Sequence, residues 1–267
     1  MDPVEVVAGD GPVILGLPHT GLHVPEAILS TFNETGRELA DTDWNIHRLF
    51  ADLLPGASRV RATFHRYVID ANRDPTGKSL YPGQNTTTLC PLIDFDNRPL
   101  YRDDMEPDAT EIAARRAAFH APYHAALAAQ VERVRSKHGI ALLYDCHSIR
   151  SVVPFLFEGR LPDFNIGDND GTTCAPAVSE IVAKVCRSAD HYTTIVNGRF
   201  KGGWTTRHYG RPQDGVHAIQ MELTQCSHLE AEAPPYALDP VKSAQLRTVL
   251  GEILSGLEDW ARNEGQG

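Results

Sequence analysis

The chain has no apolar run approaching the roughly 18 residues of a membrane span. Its opening, MDPVEVVAGD, carries neither the basic start nor the apolar stretch of a secretory signal. Both absences predict a soluble, cytoplasmic protein. Cysteine is scarce and unpatterned: Cys90, Cys146, Cys174, Cys186 and Cys226 are odd in number and contain no CxxC pair, which argues against a disulfide framework and against a thiolate zinc site. They read as reduced thiols. Positive charge is also short, with 25 Lys+Arg against 35 Asp+Glu for a net charge of −10. No basic run lies beside aromatics, so the electrostatic footprint of a nucleic-acid binder is missing and a small-molecule partner is expected.

Internal repeats are absent as well, and what is present is alternation. Residues 13–17, 58–64 and 67–69 read as strands around an amphipathic helix over 44–54, started by Asp41 or Asp43 as N-cap. Residues 74–105 are rich in Pro, Gly, Asn and Asp, too long and irregular for a connector, and are read as a wall of the functional site. Asp108 begins a long Ala-rich helix with Glu111 as capping-box partner, and Gly139 ends it. Strands follow at 140–144, 153–157, 193–196 and 216–223, with helices at 175–188 and 240–261. With 42% hydrophobic residues in 267, this pattern favours a single α/β domain over 1–267, built on a mixed, largely parallel sheet with helices on both faces.

Ligand sites in such sheets gather at the carboxyl ends of strands. The segment LLYDCHSIR runs an apolar strand into Asp145, His147 and Arg150, and a strand ending in a His beside a carboxylate suits a metal. Upstream, PHTGLH supplies His19 and His23, and ADTDWNIHRLF supplies Asp41 and Asp43. A His from each of two strand ends plus an Asp makes a three-ligand zinc site with a vacant position, which is the catalytic pattern. Glu222 closes HAIQMEL, where an ionised carboxylate is costly unless paired or used. It reads as a general base, with a strand-end salt bridge as the rival reading.

The runs PHTGLHVP, DTDW, RYVIDANRDP, SLYPGQNTTTLCPL, YDCHSIRS, NGRFKGGWTTRHYGRP and HAIQMEL together resemble the N-formylglutamate amidohydrolase family of histidine degradation, over almost the whole chain. Through it the chain is similar to the zinc exopeptidase group, which includes carboxypeptidases and aspartoacylase and has a three-layer α/β/α fold. The resemblance implies zinc-dependent hydrolysis of an N-acyl amino acid. It matches His19 and His147 to two His ligands, Glu222 to the catalytic carboxylate, and Asn72 with Arg73 to a pair that holds a substrate carboxylate. In the wider group a Glu follows the first His after two residues; here that position is Leu22. The third ligand is therefore open among Asp43, which is preferred, Asp41 and His23.

Arg73, Arg150, Arg207 and Arg211, with His208, form a cationic set in an acidic chain, and guanidinium forks suit carboxylates. A dicarboxylate needs such groups twice. The expected reaction is N-formyl-L-glutamate and water to formate and L-glutamate, with Zn2+ or another divalent metal. Two other classes remain: a hydrolase with Cys146 as nucleophile, and a non-catalytic binder of acidic amino acids. Another N-acyl acidic amino acid is the competing substrate. His120 and His124 in HAPYH have zinc-helix spacing, but no Glu follows the first and Pro122 lies between them. They read as a surface or substrate-facing pair.

Overall fold

A computed structural model describes residues 1–265. Seven segments pair into one sheet: β1 (Val4–Val7), β2 (Val13–Leu17), β3 (Ser58–Ala62), β4 (Ala141–Ile149), β5 (Phe164–Gly167), β6 (Thr194–Val196) and β7 (Val216–Thr224). Their order is β1-β3-β2-β4-β7-β5-β6. β3, β2, β4 and β7 run parallel, β1 is antiparallel to β3, and β5 is antiparallel to β7 and parallel to β6. The connection from β2 to β3 carries three short helices, α1 (Glu26–Leu29), α2 (Glu34–Glu38) and α3 (Ile46–Leu49); α4 (Ala109–Arg115), α5 (Ala121–His138), α6 (Pro176–Ser188), α7 (Trp204–Tyr209) and α8 (Pro240–Glu264) complete the set.

Helices cover both faces of the sheet, as the alternation predicted. On one face Leu142, Tyr144 and Cys146 of β4 pack with Val178 and Val182 of α6 and Leu250 and Leu254 of α8; on the other, Ala141 and Leu143 pack with Tyr123, Leu127 and Val131 of α5. Successive strand residues point to opposite faces, so Asp145 and His147 share the α5 face, nearer the carboxyl end. The β4–β7 register places Asp145 beside Gln220 and His147 beside Glu222. Two parallel strands thus deliver four polar side chains to one patch.

The long helix begins as expected, with the Asp108 carboxylate accepting from Glu111 N at 2.8 Å, although the Glu111 side chain goes to Arg115 Nε rather than closing a capping box. Arg116–His120 form a π-helical turn between α4 and α5. Pro122 has no N–H to donate back along the helix, and the wider turn absorbs that break. Gly139, at φ 75°, ends α5 in the left-handed conformation that glycine adopts without strain.

Some expected elements are different. Residues 67–69 are buried but lie in a turn, with Val68 N bonding to His65 O at 2.9 Å; a short apolar run fits a buried turn as well as a strand. Residues 153–157 also turn, with Leu156 N on Val153 O at 2.9 Å, and Pro154 cannot donate to a ladder. The helix over 44–54 shrinks to α3. The four-residue strands β1 and β5 are additions too short for pattern reading to isolate.

Candidate metal centre and active site

His19 stands two residues beyond β2, and its carbonyl accepts from Asp43 N at 3.0 Å, which draws the segment ahead of α3 across the strand end. The cap of α3 is Asn45 in a left-handed conformation, not Asp41 or Asp43. Asp43, free of capping, turns its carboxylate between two imidazoles: Oδ2 lies 3.2 Å from His147 Nδ1 and 3.7 Å from His19 Nδ1. The ring centroids are 4.9 Å apart. Donor atoms of His19, Asp43 and His147 all fall within 4.8 Å of one another.

A second carboxylate backs each ring. His19 Nε2 lies 2.7 Å from Asp70 Oδ1, and His147 Nε2 lies 3.1 Å from Asp145 Oδ2. A carboxylate on one ring nitrogen fixes the tautomer and leaves the other nitrogen as a ligand. Both Nδ1 atoms therefore face Asp43. His19 Nδ1 and Asp43 Oδ1 are buried without any hydrogen-bond partner, and such orphans are costly unless something satisfies them. A divalent cation would do so, and a donor set of two imidazoles and one carboxylate suits zinc. Asp41 and His23 do not share the cluster: Asp41 Oδ2 accepts from Phe95 N at 2.9 Å, and His23 N bonds to Thr63 O at 3.1 Å beside the end of β3.

Burial opposes charge throughout this patch, yet Asp145 and Asp43 hold His147 well above the ordinary imidazole range, and the two histidines hold Asp43 below the ordinary carboxylate range. Burial is likewise outweighed at Asp70, where Arg66, His19 and Arg73 keep the carboxyl low. Glu222 behaves oppositely: burial pushes its pKa up to about 8 against the pull of His147. A cation at the triad would lower that value. A cleft opens over this patch, lined by His19, His147, Asn72, Arg73 and Glu222 among others.

Residues 11–229 match the N-formylglutamate amidohydrolase family. The chain belongs to that family. It is 45% identical over 257 residues to an N-formylglutamate deformylase of Pseudomonas aeruginosa, covering 95% of each chain. It is 40% identical over 258 residues to one of Pseudomonas putida, covering 96% of this chain and 95% of that one. An N-formylglutamate amidohydrolase structure from Ralstonia eutropha superposes with a TM-score of 0.80 at 24% identity, covering 99% of this chain and all 100% of the other. A gene product of Agrobacterium tumefaciens gives 0.72 at 20% identity, covering 97% and 96%. At these identities the two structures attest the three-layer α/β fold alone.

In this N-formylglutamate amidohydrolase family member the irregular segment 74–105 does wall the cleft, through Tyr81, Thr86, Thr87 and Phe95. Asn72 sits deep, its Nδ2 3.0 Å from His147 Nε2 and its Oδ1 accepting from Thr205 N at 2.8 Å. A β-carbon on Gly203 would overlap the Asn72 amide, so glycine there permits the approach of the 197–203 segment. Four of the expected substrate contacts lie elsewhere. Arg150 pairs with Asp96 Oδ2 at 2.9 Å, and Arg211 with Asp214 Oδ2 at 3.3 Å. Arg207 Nε donates to Gly202 O at 2.9 Å, and His208 stacks on Trp204 at 4.2 Å between centroids. None of the four lines the cleft.

Three groups were not singled out by sequence reasoning: Asp70, which backs His19, and Arg66 and Arg199, which line the cleft. All three lie inside the motif runs; Asp70 and Arg199 take their roles from distant partners, His19 and Asn85, whereas Arg66 pairs with Asp70 four residues on. His120 and His124 are not surface residues. Both are buried, with their Nε2 atoms 3.1 Å from Arg73 O and 2.7 Å from Ala71 O, on either side of Asn72. Cys146 faces the α6–α8 core, and burial pushes its thiol well above the ordinary range. A core thiol of that kind is no nucleophile.

Proposed function

We propose that the chain is a zinc-dependent N-formylglutamate deformylase, hydrolysing N-formyl-L-glutamate to formate and L-glutamate. The observation that carries the reading is the buried His19–Asp43–His147 cluster, with its two unpartnered donor atoms, beside Glu222 in an arginine-lined cleft. The names of the two Pseudomonas relatives supply the substrate. Zinc held by this triad would polarise a carbonyl oxygen and bring the pKa of water to about 7.

The chain's own residues account for the remaining steps. Asp70 and Asp145 keep the Nε2 side of each imidazole engaged, so the ligand nitrogens do not rotate away. Glu222, the only carboxyl in the lining of the cleft among the described residues, takes the proton of the attacking water and delivers it to the amide nitrogen as the C–N bond breaks. Water adds across that bond, formate leaves with the new oxygen, and glutamate keeps the nitrogen. Asn72 and Arg73 hold a substrate carboxylate at the cleft wall. The family resemblance supports a role for the reaction as the last step of a histidine-degradation route. Among the described residues no helix is long and apolar enough to cross a membrane.

The test is formate release from N-formylglutamate, run against other N-acyl acidic amino acids. Comparable or better turnover of an N-acetyl or N-formyl-aspartate analogue would move the substrate assignment.

A further inference from the structure

Three arginines line the cleft, and their charges are not equally answered. Arg66 Nη2 lies 2.7 Å from Asp70 Oδ2, and Arg73 Nη1 lies 3.7 Å from the same oxygen. Arg199 has no carboxylate oxygen within 4.0 Å among the described residues. Its Nε donates to Leu156 O and its Nη2 to Asn85 O, each at 2.8 Å. Its guanidinium carbon lies 5.3 Å from the ring centroids of both Tyr81 and Phe200. Nη1 makes no hydrogen bond among the described residues.

These partners fix the fork without cancelling its charge, because carbonyls and aromatic faces orient a cation but leave it net positive. Burial, with Arg73 adding to it, holds the Arg199 pKa below the ordinary arginine range against the weaker pull of Tyr81 and Glu222. An unpaired, partly desolvated cation is costly to maintain. The cost makes sense if an incoming anion supplies the missing charge.

The position of Arg199 is also built. The 197–203 segment leaves β6 through Asn197 at φ 52° and reaches α7 through Gly202 at φ 110°, both left-handed. Tyr81 OH donates to Gly202 O at 3.0 Å and ties this segment to the opposite wall. Arg207 lies 4.9 Å from the Tyr81 ring centroid, so the ring sits against two guanidinium groups. Arg207 thus supports the wall from outside while Arg199 faces the cleft.

We propose that Arg199 receives the side-chain carboxylate of an N-formylated dicarboxylic amino acid, and so selects such substrates over their amide or apolar counterparts, while Asn72 and Arg73 hold the α-carboxylate. This rests on the N-formylglutamate reading above and moves the second carboxylate from Arg150, Arg207 and Arg211 to a residue inside the cleft. An amide in place of the distal carboxylate would present donors to a donor. A buried polar group left unmatched in this way is what gives an enzyme large discrimination.

The experiment measures kcat/KM for N-formylglutamate, for N-formylglutamine, which lacks the distal charge, and for 4-formamidobutanoate, which lacks the α-carboxylate. Wild type is compared with Arg199→Met and Arg199→Lys. Arg199→Met should lower kcat/KM by about 10²-fold for N-formylglutamate and 4-formamidobutanoate and by less than about 3-fold for N-formylglutamine. Arg199→Lys should recover only part of the loss. An equal loss on all three substrates in both variants would overturn the assignment. So would a loss confined to N-formylglutamine and N-formylglutamate, which would put Arg199 on the α-carboxylate. If the wild type releases no formate from N-formylglutamate, the underlying reading fails and the Arg199 assignment falls with it. If the wild type turns over N-formylglutamate and only the substrate pattern of the variants is wrong, the Arg199 assignment alone is lost.

Discussion

Asp70 holds His19 from behind: Oδ1 lies 2.7 Å from Nε2, while Oδ2 takes Arg66 Nη2 at the same distance. One carboxylate thereby sets the tautomer of an imidazole in the candidate metal centre and anchors a cation of the cleft. Replacing Asp70 by Asn keeps the shape and removes the charge. Metal affinity should fall about 10- to 100-fold, read by competition with a chelator. The metal-free protein should also lose on the order of 3 kcal/mol, since Arg66 is left without its buried partner. Unchanged affinity would mean that His19 is not a ligand.

Glu222 has the opposite electrostatics, with burial lifting its pKa to about 8. Gln at 222 preserves volume and the contact from Gln220 Nε2, 3.1 Å from Glu222 Oε2, but cannot carry a proton between water and the leaving nitrogen. Metal content should be unchanged while kcat falls by about 10² or more. A near wild-type kcat would make Glu222 a structural residue.

His124 predicts a pH dependence of stability. Burial, with His120 nearby, lowers its pKa to about 3 against the pull of the Ala71 carbonyl, whereas the unfolded chain titrates near 6.5. Between those values the unfolded state holds a proton that the folded state does not. The stability this provides is complete above about pH 6.5 and is lost as pH falls toward 3, with a slope of up to about 1.4 kcal/mol per pH unit. His124→Gln keeps a donor for Ala71 O and removes the titration, so denaturant unfolding at pH 7, 6 and 5 should show a smaller slope in the variant. Identical slopes would contradict the buried, neutral state of the ring.

The arginines outside the cleft should matter little. Arg150→Ala removes a half-buried ion pair to Asp96 and Arg211→Ala an exposed one to Asp214, both outside the cleft, and each should change kcat/KM by less than about 3-fold. Arg73→Ala should cost about 2 to 5 kcal/mol in transition-state binding, and Arg73→Lys should restore only part. If the outer pair proves as costly as Arg73, the cleft described here is not where substrate binds.

The sequence displays best what obeys a local period. His147 and Glu222 were readable because strand alternation and a parallel register are short-range rules that put both on one face near strand ends. Asp43 was chosen as ligand from its neighbourhood, but the expected helix there was wrong: Asn45 caps a single turn, and the freed carboxylate points inward. Long-range partners were the illegible part. Arg150 looks like a site cation until Asp96, 54 positions away, neutralises it, and Arg199 becomes a site cation only through Asn85, 114 residues upstream. The burial of His120 and His124 was illegible for a similar reason, because their rings meet the Arg73 and Ala71 carbonyls, 47 and 53 positions away.

The central claim is a catalytic metal held by His19, Asp43 and His147, and the most direct measurement is metal content followed alongside formate release as the metal is removed and restored. About one equivalent of zinc per chain should be present. Turnover of N-formylglutamate should disappear with the metal and return on re-addition, and His147→Ala should lose both. Full turnover by metal-free protein, or stoichiometric metal and full activity in His147→Ala, would contradict the account.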